Sequence, residues 1–445
     1  MLRIGYVLPP YIGHLNPALA LANCLREMGH QVVFVSTMDA EARIREARFP
    51  FVLLGAQAFP AGKWIEFSRQ LGKLHGLRAA DFTVRWLARF TRAILEDLPE
   101  VLDREMFEGC LVDQVAYGAS SVCTSRRLSS VAVCHTLPLH FEPALPIHSS
   151  NRRFSNHSWT RFLNRVEQRL ILLSGRRVFG PIAAFRRAQG LPTLTYHAMY
   201  HGEETEAQVC QLPAFLDFPR TERFRLVHTG PWITPQNPED DYDFPWERLN
   251  GDPLVYASMG TLQNGVARVF KTLAEGCAGL PVQLVLSLGG NELPDLEHLP
   301  GAPIVVKYAP QRRLLRRASM AITHAGMNTA LECATAGIPM VALPVTNDQP
   351  GVASRLAYHG LAVVIPVQQL TAGKLRAAVQ QVLSDELMKL RLQRCAEQLA
   401  NIKGPAQAAA ACLSALGLRS ALPEPGSGMR RAVLKPRLET RLNAG

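Results

Sequence analysis

No apolar run in the 445 residues reaches the roughly 20 residues that a helix needs to span a bilayer. The start of the chain, "MLRIGYVLPPYIGHLNP", has a short apolar stretch that stops at Pro9-Pro10 with no small-residue cleavage site, unlike a secretory leader. The expected location is cytoplasmic, at most peripheral on the inner face of the membrane. The nine cysteines are scattered, odd in number and contain no CxxC pair. That argues against a disulfide framework and a zinc site and favours buried free thiols. GxGxxG and GxxxxGK[ST] are also missing from the strand ends where they would bind phosphate, so dinucleotide and P-loop readings are weak.

Acidic charge is scarce relative to basic, with a formal net charge of +11. Residues 151–187, "NRRFSNHSWTRFLNRVEQRLILLSGRRVFGPIAAFRR", hold nine arginines and one glutamate. Arg161, Arg165 and Arg169 recur every fourth residue and share a helix face, while Phe162, Leu163, Val166, Leu170 and Leu173 form an apolar one. A basic amphipathic helix of this kind lies on an anionic membrane, or is an ordinary core helix with a solvated arginine face. No nucleic-acid motif accompanies the charge, so no nucleic-acid partner is expected.

Hydrophobic residues make up 47% of the chain, enough for two globular domains at this length. "LRIGYVL" reads as a strand, followed by a helix capped by Asn16 with Pro17 at its first position and Gly29 at its end, then by the strand "QVVFVST". "GCLVDQ" and "SVAVCHTL" continue the series. A second series begins near Leu254 with "LVYASMG", "VQLVLSLG", "PIVVKYAP", "SMAITHAG" and "IPMVALPV". Apolar strands alternating with helices predict an α/β fold with parallel sheets covered on both faces. Two doubly wound Rossmann-like domains are expected, residues 1–233 and 254–421, facing across a cleft. The proline-rich, acidic stretch 234–253 reads as a linker, and 422–445 as a disordered tail.

"ITHAGMNTALECATAGIPMVALPVTNDQ" (322–349) breaks a strand at His324, turns at Gly326 and enters a helix near Asn328 or Thr329. Helix N-termini carry unpaired N–H groups and partial positive charge, which suits phosphate. The upstream loop Ser258 to Thr261 also follows an apolar strand and could close the other side of a diphosphate. The spacing alone also allows a capping box, T-x-x-E, in which Glu332 caps its own helix.

The longer stretch "YAPQRRLLRRASMAITHAGMNTALECATAGIPMVALPVTNDQ" resembles the donor motif of family 1 glycosyltransferases, the UDP-sugar-dependent enzymes of the two-domain B fold. Within that family, "LVDQ", "LPLHFEP", "QLPAFLDFPR…HTGP" and "DQPGVASRLAYHG" resemble the zeaxanthin glucosyltransferases. "LPLHFEP" departs from that subgroup's asparagine-rich form, Tyr308 stands where the plant enzymes carry tryptophan, and the spacer to His324 is about two residues shorter. The resemblance implies that Tyr308 and Gln311 hold the base and that Glu332 accepts from the ribose hydroxyls. Ser258, His324, Asn328 and Thr329 would surround the diphosphate, with Gly326 in the turn. Asp348 and Gln349 would bind hydroxyls of the sugar, glucose being the expected one.

His14 matches the family's general base, placed in the loop after the first strand, and Asp113 the carboxylate that orients it. The implied reaction is an inverting transfer of glucose from UDP-glucose to a hydroxyl of a hydrophobic acceptor such as a carotenoid. The nucleotide sugar is a co-substrate; no cofactor and no metal are expected, since the carboxylates Asp240, Asp241 and Asp243 read as a solvated turn of the linker. Phe59, Trp64, Phe67, Phe82, Trp86 and Phe141 offer apolar surface for the acceptor, although any one of them alone reads better as core. A macrolide, sterol or glycolipid acceptor, or a nucleotide-sugar- or lipid-binding protein without catalysis, stays open at this point.

Overall fold

Among the described residues, thirteen strands build two parallel sheets. The computed structural model describes residues 1–72, 74, 76–220, 226–234, 238–260, 267–290 and 298–417. Thr261 and the stretch 422–445 lie outside the described residues. In the first sheet β1 (Arg3–Val7), β2 (Gln31–Ser36), β3 (Phe51–Leu53), β4 (Gly109–Asp113), β5 (Ser130–Cys134), β6 (Gln208–Cys210) and β7 (Leu226–His228) lie in the order β3-β2-β1-β4-β5-β6-β7. The second sheet contains β8 (Leu254–Ser258), β9 (Gln283–Ser287), β10 (Ile304–Val306), β11 (Ala318–Thr323), β12 (Met340–Ala342) and β13 (Ala362–Val364), in the order β10-β9-β8-β11-β12-β13. Ile4, Tyr6, Val7, Leu111 and Val133 are buried on the first sheet, and Val255, Tyr256, Met320 and Ile322 on the second. Both faces of these strands are covered by helices, which is why they carry apolar runs rather than alternation.

Each sheet runs outward from its first strand and then reverses. The reversal falls between β1 and β4 in the first sheet and between β8 and β11 in the second. Loops part to opposite faces at such a switch point, leaving a crevice at the carboxyl ends of the strands. Val7 pairs with Val112, one residue short of Asp113. Thr323 pairs with Ser258, so His324 leaves the sheet beside Ser258.

Several local expectations change. The first helix spans Ile12–Glu27, with Tyr11 as its N-cap, so Asn16 does not cap it and His14 lies in its first turn rather than in a loop. Pro17 sits inside this helix. Having no N–H, it leaves the Gly13 carbonyl without its helical donor, and Asn328 Nδ2 supplies one at 3.0 Å from the other half of the chain. In the second unit the helix Met327–Thr335 is capped by Gly326, which places Glu332 well beyond the position a capping box requires.

The tight turn before that helix is made by Ala325, at φ +63°, and not by Gly326. Glycine at 326 answers a different need, because a Cβ there would lie 2.4 Å from His324 Nε2. The last helix, Gly404–Ala415, returns to the first half of the chain: Ala408, Ala409, Cys412 and Leu413 share a core with Leu21 and Leu25 of the first helix. This helix, within the expected second domain 254–421, thus packs on the first half of the chain. A helix this rich in alanine has no periodicity that names its partner, and only packing decides it. The linker is also not merely solvated: Phe244 is buried in the core of the second unit and Asp240 pairs with Arg312.

Candidate active site

The carboxyl end of β4 places Asp113 below the first turn of the helix Ile12–Glu27. His14 Nδ1 lies 2.6 Å from Asp113 Oδ2. The same oxygen takes a second imidazole, His135 Nδ1, at 2.7 Å, and Asp113 Oδ1 accepts the Val115 N–H at 2.9 Å. Tyr6 Oη reaches His135 Nε2 at 2.6 Å. Because a carboxylate only accepts, both histidines carry their proton on Nδ1 toward Asp113, and the Tyr6 hydroxyl donates to His135. His14 Nε2 is thereby left with its lone pair.

Burial tends to raise the Asp113 pKa, but the two imidazoles and their hydrogen bonds hold it well below the usual carboxylate range. For His14, burial lowers the pKa, and the charge and hydrogen bond of Asp113 more than reverse this, so it ends above the ordinary 6.5. His135 sits on the same oxygen yet ends below its ordinary value, because its side chain is fully buried and desolvation wins. The geometry therefore yields one histidine poised to accept a proton and one kept neutral.

His135 was not singled out in the sequence. The available signal is register: Asp113 pairs with Val133, and residue 135, two further along, returns to the same side of the strand. Gln211 is a second such residue. Its Nε2 donates both to the His135 carbonyl and, at 2.8 Å, to Asn328 Oδ1. Asn328 thus joins the two halves of the chain twice, through Gln211 and through Gly13.

The second switch point assembles the expected donor residues. Ser258 ends β8, and His324 stands between Gly260 and Gly326, each of which lacks room for a Cβ beside the ring. Burial pushes His324 down to about 4, so it is neutral at pH 7 and offers one N–H. Gln311 Nε2 donates to Glu332 Oε2 at 2.6 Å and to Thr329 Oγ1 at 3.3 Å, and Gln311 Oε1 accepts from Tyr256 Oη at 3.1 Å. Tyr308 is 42% exposed and stacks on Tyr242, with centroids 5.1 Å apart. Arg312, next to Gln311, is held by Asp240. The supposed solvated turn thus packs beside the expected base-binding residues.

Asp348 stands at the N-cap position of the helix Gln349–Tyr358 without a side-chain capping bond, and its carboxylate accepts the Leu137 N–H at 3.2 Å. Burial raises its pKa, and His14 is among the groups that oppose the rise. Gln349 is buried, with Oε1 accepting the Val345 and Thr346 N–H groups at 2.9 and 3.2 Å. Arg355 of the same helix meets Asp217 at 2.7 Å, and Arg220 meets Asp217 at 2.6 Å, an ion pair network across the two halves. A cavity of about 270 Å³ opens between them, lined by Asn16, Pro17, Trp232, Arg312, Asn328 and Glu332.

The aromatic residues expected on the acceptor side pack mainly on one another. Phe59, Trp64, Phe67 and Trp86 are buried in one cluster, and Tyr11 joins it to His14, with ring centroids 4.9 Å from Trp64 and 5.5 Å from His14. Phe141 stacks on Tyr200 at 4.3 Å in a separate cluster. Among the described residues, two groups bring metal-ligating atoms within 4.8 Å of one another: His14, Asp113 and His135, and His197, His201 and Glu203. In the first, both Nδ1 atoms already face the carboxylate, so an ion would have to displace two short hydrogen bonds.

Residues 96–397 match the family description UDP-glucoronosyl and UDP-glucosyl transferase. Over 370 residues the chain is 29% identical to the zeaxanthin glucosyltransferase of Pantoea ananas, covering 81% of this chain and 84% of that protein. Over 419 residues it is 28% identical to the zeaxanthin glucosyltransferase of Pseudescherichia vulneris, covering 92% and 97%. Its fold matches the crystal structure of the glycotransferase of kitacinnamycin with a TM-score of 0.72 at 23% identity, over 93% of this chain and 98% of that one.

Proposed function

The chain belongs to the UDP-glucoronosyl and UDP-glucosyl transferase family and is a UDP-glycosyltransferase, and from that premise we propose that it moves glucose from UDP-glucose to a hydroxyl of a large hydrophobic acceptor, a carotenoid such as zeaxanthin. The observation that carries the transfer chemistry is the His14–Asp113 pair at the β1/β4 switch point, 2.6 Å apart. The acceptor class is supported by the two zeaxanthin glucosyltransferases to which the chain is similar over most of its length.

In this reading His14 Nε2 takes the proton of the acceptor hydroxyl as its oxygen forms a bond to the anomeric carbon. The bond from that carbon to the diphosphate breaks, and UDP leaves with the electron pair. A single displacement inverts the anomeric centre. Asp113 keeps the His14 proton on Nδ1 and stabilises the imidazolium that forms. Charge that grows on the diphosphate meets the N-terminus of the helix Met327–Thr335, the neutral His324 N–H, Ser258 and Thr329. Protein groups supply this neutralisation, and no metal or cofactor has a role in it. Tyr308 and Gln311 hold the base, Glu332 the ribose, and Asp348 and Gln349 the sugar hydroxyls.

Donor binding requires exchange of partners already present. Glu332 is held by Gln311, Asp348 by the Leu137 N–H, and Asn328 by Gln211 and Gly13. Each of these polar groups would be costly to bury unpaired; a hydroxyl of the donor can give its proton to the Glu332 or Asp348 carboxylate, and a phosphate oxygen can take Asn328 Nδ2 from the Gly13 carbonyl.

The test is a transfer assay with purified protein, UDP-glucose and detergent-dispersed zeaxanthin, read by mass spectrometry. A gain of one or two hexose units, lost in His14→Ala while UDP affinity holds, is the expected result. No gain with zeaxanthin, but gain with another apolar alcohol, removes the carotenoid and keeps the chemistry. Parallel loss of UDP binding in His14→Ala removes His14 as the base.

A further inference from the structure

The helix Ser158–Ser174 turns an apolar stripe outward. Five of its apolar residues, Trp159, Phe162, Val166, Leu170 and Leu173, are between 36% and 68% exposed, while Asn164 and Gln168 are buried and Ile171 and Leu172 pack, partly buried, on the core. The polar pair anchors the helix to the segment before it: Asn164 donates to the Pro143 carbonyl at 3.0 Å, and Gln168 to the Glu142 carbonyl at 2.8 Å. An amphipathic helix normally buries its apolar stripe against the core. Here Asn164 and Gln168 face the protein alongside Ile171 and Leu172, and a second stripe, recurring every three or four residues, faces outward.

We propose that this outward face docks the enzyme on an anionic lipid membrane. Arg165 and Arg169 are exposed along one side of the stripe, and Arg153 and Arg176 are exposed beyond its two ends. Glu167, the helix's one acid, is half-buried and pairs with Arg152. Asp81 is paired with Arg177 of the following helix and with Arg85. A face that joins aromatic and aliphatic side chains to arginines, without an exposed carboxylate of its own, matches acyl chains below a layer of anionic headgroups. Trp159 stacked on Phe162, with centroids 5.4 Å apart, suits the headgroup boundary. A second copy of the chain is a poorer occupant, since packing this face on itself would bring the arginine rows of two copies together.

The docked face is one short segment from the cleft. The segment between β5 and the helix gives its Leu137 N–H to Asp348 and its Pro143 carbonyl to Asn164. An enzyme that takes an apolar alcohol has a reason to sit where such alcohols partition. The proposal rests on the hydrophobic acceptor reading only for that purpose, and its test uses neither donor nor acceptor.

The experiment is cosedimentation of the full chain with vesicles of equal parts phosphatidylglycerol and phosphatidylcholine, against pure phosphatidylcholine, at low and high salt. Binding is expected on the anionic vesicles and weakened by salt. Trp159→Ser with Phe162→Ser and Leu170→Ser, and separately Arg165→Gln with Arg169→Gln, should each weaken it by about tenfold or more. These positions are exposed, so circular dichroism and Tm should not change. The arginine pair reports on the proposal even if the serine variant folds poorly. No sedimentation at low salt overturns the proposal, as does equal binding to both vesicle types or by both variants. A concentration-dependent dimer in free solution that the serine substitutions abolish assigns the face to a second copy instead.

Discussion

Asp113→Asn isolates what the carboxylate does for His14. Asp113 accepts three N–H groups: Nδ1–H of His14, Nδ1–H of His135 and the Val115 amide. With asparagine the amide oxygen stays on Val115, and the amide nitrogen faces two imidazole Nδ1 atoms. An NH₂ group only donates, so each Nδ1 must become the acceptor and the proton moves to Nε2. His14 then points a proton, and no lone pair, at the acceptor hydroxyl. A base held in the wrong tautomer loses about 10³–10⁴ in kcat, or about 4–5.5 kcal/mol of barrier. The pH profile moves as well. In the unsubstituted enzyme His14 titrates above 6.5, so activity should fall as pH drops through a value above 6.5, where the base becomes protonated. Without the carboxylate that limb moves to lower pH. The assay is initial rate against pH for both proteins at saturating donor, with UDP affinity measured by calorimetry and folding by circular dichroism. A variant within about tenfold of the parent, or one that loses UDP affinity in proportion to rate, would refute the argument.

Three further outcomes are expected. Removing His135 (His135→Ala) leaves Asp113 with one imidazole less to stabilise its charge, so His14 should hold its proton more tightly and the acid limb should move to higher pH; a limb that stays put assigns His135 to packing alone. Asp348→Ala should weaken UDP-glucose far more than UDP in calorimetric titrations, and equal losses would separate Asp348 from the sugar. Asn328→Ala should destabilise the fold by about 1 kcal/mol by leaving the Gly13 carbonyl unpaired, and by less when Pro17→Ala restores the helical donor; thermal unfolding of the four proteins gives the coupling, and strict additivity would remove the link.

Much of the architecture is written in local pattern. Apolar runs such as "RIGYV" and "LVYAS" are strands wherever they are covered on both sides, and the stretch around His324 has the composition of a strand end feeding a helix. These are properties of short segments, so sequence reaches them. Short strands such as Gln208–Cys210, between β5 and β7, escaped because three residues carry no period. The start of the first helix escaped because Pro17 signals a helix beginning, and only an acceptor's partner from another part of the chain lets the helix run through it.

The resemblance to the family named the dyad, and the fold shows why those two residues meet. His14 and Asp113 are 99 residues apart, and the switch point between β1 and β4 brings them to 2.6 Å. His135 shares their carboxylate for the same topological reason, and nothing in its own neighbourhood announces it. The basic stretch shows the division most plainly. Sequence determined that a helix with an apolar stripe and an arginine row would form there, because both depend on spacing along one helix. It did not determine which face turns inward. Asn164 and Gln168 found carbonyl acceptors in the segment 142–145 and the stripe was left outside, a choice made by partners outside the helix and visible only once the chain is folded.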